Sequence, residues 1–157
     1  MSIKKDIKNK GFQSEHEKIF VNLIFTAAHF ESKFMQFIKG YEISPTQYNV
    51  LRILRGQHPN AMSGGELQDR LLHNMSNSTR LVDRLLEKGL VDRQKNPEDK
   101  RQMMISITQC GLKLLKDLDV AVIEFDEKMM NLPEGQLMVL NNLLDDLRHS
   151  STDTEDI

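Results

Sequence analysis

A mainly helical fold with one two-stranded β hairpin is predicted for this 157-residue chain by three observations. Apolar residues recur every three or four positions over most of its length, the pattern of helices that bury one face. The period breaks between Leu90 and Ile107, where Met103, Ile105 and Ile107 alternate with Met104 and Ser106 as in a strand. Two helix starts are spelled out by Ser44-Pro45-Thr46-Gln47 and Ser63-Gly64-Gly65-Glu66. Each pairs a serine hydroxyl with a glutamine or glutamate three residues on, the reciprocal capping box.

The first long helix carries Ile19, Leu23, Ala27, Phe30, Phe34 and Phe37 on one stripe and ends near Gly40. A second begins at Ser44, with proline at its first position, and holds Tyr48, Leu51, Ile53 and Leu54. It should stop before His58-Pro59-Asn60, because proline disfavours helical geometry in the residue ahead of it. Ser63 opens a short third helix to Leu72 with Leu67, Leu71 and Leu72 inward. Asn74-Met75-Ser76-Asn77 offers caps for a fourth, Ser76 to Lys88, with Val82, Leu85 and Leu86 inward and Asn77, Arg80 and Arg84 outward. Gly89 can end it in the left-handed conformation. Leu90 to Lys95 and Met103 to Ile107 then form the strands, joined through Asn96-Pro97-Glu98-Asp99, with Lys100 and Arg101 at the tip. Thr108 caps a fifth helix bearing Leu112, Leu115, Leu118, Val122, Phe125 and Met129, which continues to about Met130. Leu132-Pro133 breaks the chain before a last helix with Leu137, Leu140, Leu143, Leu144 and Leu147. The polar tail from Ser150 to Ile157 is expected to be disordered.

Length and composition suit one domain over residues 1–157, with 39% hydrophobic and 28% charged residues. No run approaches the roughly 20 apolar residues a membrane span requires. Met1-Ser2-Ile3-Lys4-Lys5-Asp6 has no apolar segment like that of a signal peptide, so a cytoplasmic protein is expected. Cys110 stands alone, which excludes an internal disulfide and a cysteine-based zinc site. His16, His29, His58, His73 and His149 have no recognisable nucleophile, carboxylate pair or metal-ligand spacing beside them. No catalysis, metal or cofactor is therefore expected. Charge is unevenly spread: the chain carries 21 Lys/Arg and 23 Asp/Glu, yet Arg70 to Arg101 holds 8 Lys/Arg against 5 Asp/Glu.

Two short helices followed by a basic hairpin are the order of a winged helix-turn-helix over 44–108, whose second helix enters the DNA major groove. Asn77, Ser78 and Arg80 lie in its first turns, where base edges are reached; asparagine suits adenine and arginine suits guanine. Ser76, Arg84 and Lys88 are placed for phosphates. Arg101, with Lys100 beside it, can enter the minor groove, where a narrow width concentrates negative potential. Asp99 would orient the wing by pairing with an arginine. The rival reading is a winged helix used only for protein contacts, against which the three arginines Arg80, Arg84 and Arg101 weigh.

The run Ser78-Thr79-Arg80-Leu81-Val82-Asp83-Arg84-Leu85-Leu86-Glu87-Lys88-Gly89-Leu90-Val91 resembles the recognition helix of the MarR family of bacterial transcription regulators. Asn96-Pro97-Glu98-Asp99-Lys100-Arg101, with Ile105-Ser106-Ile107-Thr108 and Gly111, resembles that family's wing and its Asp-x-Arg motif. The resemblance implies a homodimeric repressor of double-stranded operator DNA, with 12–38 and 109–149 as dimerisation helices whose apolar stripes would meet a second chain. For any single residue of those stripes, an intramolecular core is the competing role. It also implies a small-molecule effector at the junction between dimerisation and DNA-binding regions, for which His29, Phe30 and Tyr48 are the candidates by position, core packing being the first expectation for each of them. Family members that sense peroxides use a cysteine in the first helix, and none lies between Ile19 and Phe37.

Overall fold

The computed structural model describes residues 2–8, 10–71, 78–97 and 99–152, without the side chains of Ser78 and 150–152. The expected caps at Asn74, Ser76 and Asn77 and the end of the tail lie outside the described residues. The chain resolves into two compact units, Met1–Leu118 and Asp119–Ile157.

The first unit opens with a single-turn helix α1 (Ile3–Asp6) and the long α2 (Glu15–Ile38). The Ser14 side chain caps α2 by accepting from the Glu17 amide. A 3-10 turn, Lys39–Tyr41, follows and ends on Glu42 in the left-handed region at φ 58°. Helix α3 (Pro45–Gln57) starts with the expected box. The Ser44 hydroxyl accepts from the Gln47 amide at 3.1 Å, and the Gln47 side chain accepts from the Ser44 amide at 3.0 Å. His58 leaves helical geometry, as the following proline requires.

Helix α4 (Gly64–Asp69) starts with a second box between Ser63 and Glu66 and is shorter than the spacing of Leu67, Leu71 and Leu72 suggests. The amides of Arg70 and Leu71 reach back only three residues, to Leu67 and Gln68, tightening the last turn so that it closes early. At its start, the Ser63 amide donates to the Glu66 carboxylate at 2.7 Å. That main-chain bond, then the Ser63 hydroxyl, hold the Glu66 carboxyl below its ordinary value near 4.5 against the opposing effect of desolvation, with the charge of Arg70 adding least. A carboxylate whose folded-state value is depressed stabilises the fold above its unfolded value, and loses that contribution as pH falls through the folded one. Glu66→Gln should therefore be less stable than the parent at neutral pH, with the gap closing on acidification below about pH 4.5. Urea midpoints for both proteins from pH 7 to 3 check this; a gap that does not change with pH would contradict it.

Helix α5 (Ser78–Glu87) is followed by strands β2 (Val91–Lys95) and β3 (Met103–Ile107), the latter with the bounds read from the sequence. A two-residue strand that the sequence reading lacked, β1 (Met62–Ser63), adds a third member to the sheet in the order β1-β3-β2, all antiparallel. Met62 pairs with Ile105, so the segment leading into α4 is anchored to the base of the wing. The end of α5 is closed by Gly89 at φ 66°, with the Leu90 amide on the Leu85 carbonyl and the Gly89 amide on Leu86. This is the paired bonding of a Schellman cap. Leu51 and Leu54 of α3, Leu67 of α4 and Leu85 of α5 are almost wholly buried, with Ile105 of β3 close behind. They form the core on which the site is mounted.

Helix α6 (Gln109–Met129) begins at a tight junction. The Thr108 hydroxyl donates to the Gly89 carbonyl at 2.7 Å and accepts from the Gly111 amide at 3.1 Å. The Thr108 amide donates to the Leu90 carbonyl at 3.1 Å. Leu115 and Leu118, part of a stripe expected to meet a second chain, are fully buried within this one. Cys110 is exposed. In the second unit, α7 (Glu134–Thr152) runs further into the polar C-terminal segment than its leucines indicate. Its side chains Met138, Val139 and Leu143 are more than half exposed.

Candidate nucleic-acid interface

The outward face of α5 is set by its inward side. Val82 and Leu85 are buried, so Thr79, Arg80, Arg84 and Glu87, on the other faces of α5, stand in solvent. Arg80 and Arg84 are one turn apart and share a side of the helix. Ser76 and Asn77 lie outside the described residues, and of Ser78 only the backbone is described, at the first position of α5. At the wing, Lys100 and Arg101 are exposed at the hairpin tip, where the Asn96 amide donates to the Gln102 carbonyl and the Gln102 amide to the Asp99 carbonyl.

The bond given for Asp99 is to main chain and not to a guanidinium: its carboxylate accepts the Arg101 amide at 3.0 Å and so shapes the turn from which that side chain projects. The ion pair joining helix to wing is a different one, in which Arg93 Nη1 of β2 lies 2.9 Å from Asp83 Oδ1 of α5. Sequence reasoning missed this pair. Nothing in the ten-residue separation of Asp83 and Arg93 indicates that Gly89 folds one back over the other. Both side chains are about a third to a half exposed, so the pair, which links α5 to β2, contributes little stability.

Lys88, expected to hold phosphate, has its ammonium on the Glu42 carbonyl at 2.6 Å. A cleft of about 410 Å³ opens between the start of α4, the helix α5 and the wing, and Thr79, Arg93, Arg101 and Gln102 are among its lining residues. The three effector candidates are not among them. His29 is exposed on α2 and meets Phe30 edge-on, with ring centroids 6.1 Å apart. Tyr48 is buried at the start of α3, 5.5 Å from the Phe34 ring, with the Arg52 guanidinium 5.7 Å from its centroid.

A helix carrying two exposed arginines, set beside a basic hairpin on a helix-turn-helix frame, defines a winged-helix DNA-binding regulator. The profile of the MarR family matches residues 43–103, the segment that holds this frame. The repressor IacR of Pseudomonas putida is 29% identical over 114 residues, which are 72% of this chain and 67% of that one. A MarR transcription factor from Planctomyces limnophilus is 31% identical, and its crystal structure superposes with a TM-score of 0.68 over 90% of this chain and 99% of its own. A mutant MarR from Escherichia coli, crystallised with operator DNA, gives a TM-score of 0.72 at 23% identity, over 80% of this chain and 89% of its own, a likeness of fold. The chain belongs to the MarR family and is a DNA-binding transcriptional regulator.

Proposed function

We propose that the protein is a bacterial, cytoplasmic repressor that binds a pseudo-palindromic operator as a homodimer and releases it when a small molecule binds. The observation that carries this reading is the outward pair Arg80 and Arg84 on α5, backed by buried Val82 and Leu85 and flanked by exposed Lys100 and Arg101. In this reading Arg80, with Asn77 and Ser78 ahead of it, reads base edges. Arg84 and Ser76 hold phosphate, Lys100 and Arg101 follow the minor groove, and Asp99 sets the wing tip. His29, Phe30 and Tyr48 are the effector candidates by position, with packing against Phe34 the competing role of Tyr48. No helix among the described residues is long and apolar enough to cross a membrane.

Dimerisation is supported within each unit separately. In the first, Ile19, Phe20 and Ile24 of α2 are 47%, 65% and 57% exposed, more apolar surface than a helix normally leaves to water. In the second, Ile123, Met138 and Leu143 are exposed to a similar extent. Sedimentation at micromolar concentration should give a dimer, and selection from a random duplex pool should return a pseudo-palindrome with half-sites about one helical turn apart. A monomer that binds a lone half-site as tightly as the full site would overturn the dimeric reading, and failure to bind any duplex at low salt would overturn the DNA reading.

A further inference from the structure

We propose that Lys88 is a positioning residue, a strut that fixes the recognition helix to the end of α2, and not one of the cations that hold DNA. The inference rests on the DNA-binding reading of α5.

Lys88 follows the last residue of α5, at the end away from the turns that carry Arg80. Its ammonium donates to the main-chain carbonyl of Glu42, 46 residues earlier, at 2.6 Å, a short and charge-assisted bond. Glu42 terminates the 3-10 turn that follows α2, and its left-handed φ of 58° takes it out of the helical path. A carbonyl at a helix end has no partner in the ladder and must find one elsewhere. Lys88 supplies that partner, so a single side chain joins the C-terminal end of α5 to the end of α2. Both groups are exposed, so the bond adds little to overall stability. Its effect is on angle. The ten residues of α5 span about 15 Å, so a small tilt at the Lys88 end displaces the turns bearing Arg80 relative to base edges.

A strut and a phosphate contact give opposite signatures. Specific recognition depends on helix angle, whereas non-specific binding and its salt dependence depend on how many cations meet phosphates. For Lys88→Met, measured on the selected operator and on a scrambled duplex from 50 to 300 mM salt, operator affinity should fall by about 3- to 10-fold. Affinity for the scrambled duplex and both salt slopes should stay at parental values. Lys88→Arg, which keeps a cationic donor of similar reach, should recover most of the operator affinity. The strut is overturned if Lys88→Met weakens both duplexes equally and flattens the slope by about one per half-site, the mark of a lost phosphate contact. It is also overturned if operator affinity does not change. If the parent protein itself shows no salt-dependent binding to either duplex, the DNA reading fails and the strut falls with it.

Discussion

Gly111→Ala should lower the free energy of unfolding by about 3 kcal/mol, the upper range for forcing one extra carbon into a packed site. A Cβ at this position would fall well inside contact distance of the Leu90 carbonyl oxygen and 2.7 Å from Ile107 Cγ1. The first obstacle is main chain and cannot rotate away. That carbonyl also accepts the Thr108 amide, so moving it breaks a bond that starts α6. Relief would require α6 to lift from the base of the wing, at the cost of the Thr108 hydroxyl's bonds to Gly89 and Gly111. Gly135→Ala, where the added carbon meets nothing within 4 Å, is the control and should be neutral or slightly stabilising in a helix. Urea unfolding of the three proteins decides the matter. A Gly111→Ala variant within about 0.5 kcal/mol of the parent would show that α6 rides freely on the sheet.

If Arg80 reads a base edge as proposed, Arg80→Ala should weaken operator binding by about 1 to 3 kcal/mol and relax preference at one base pair per half-site. Arg101→Ala should weaken binding by a similar amount while keeping the major-groove preferences, since the minor groove reports mainly width and A·T content. It should also flatten the salt slope by about one unit per half-site. Titrations of both variants on the selected site and its single-base variants, across a salt series, check the assignment. Equal weakening on every sequence by Arg80→Ala would make Arg80 a phosphate contact. An unchanged slope and affinity for Arg101→Ala would lift the wing off the DNA.

Most of the frame was legible because its signals are local. The Ser44 and Ser63 boxes, the stop before Pro59, the left-handed Gly89 and the alternation of Met103 to Ile107 each depend on residues within a few positions of one another. What escaped is what depends on distant pairing. Met62–Ser63 is too short to show a period and is a strand only because Ile105 and Met104 lie opposite. The early end of α4 came from hydrogen bonding that leucine spacing does not report. At the site, the outward arginines of α5 followed from the helical period, but the pair Asp83–Arg93 and the turn of Lys88 toward Glu42 required the fold. Leu115 and Leu118 take the intramolecular role expected for single residues of their stripe, and which residues do so could not be read beforehand, because one apolar stripe serves equally against a partner or against the chain's own core.

The sheet order leaves β2 at an edge, the position from which a strand can recruit another molecule, although the Arg93 amide there is already taken by the Asp92 carboxylate. Only Val91 of this strand is buried; Asp92, Arg93, Gln94 and Lys95 are all exposed. Ionised side chains on both faces of a short edge oppose the flat stacking on which aggregation grows, because two such strands brought together would have to desolvate them. The wing thus protects the protein against self-adhesion through its own charge, and mutations that neutralise this strand should be judged by turbidity and yield as well as by DNA affinity.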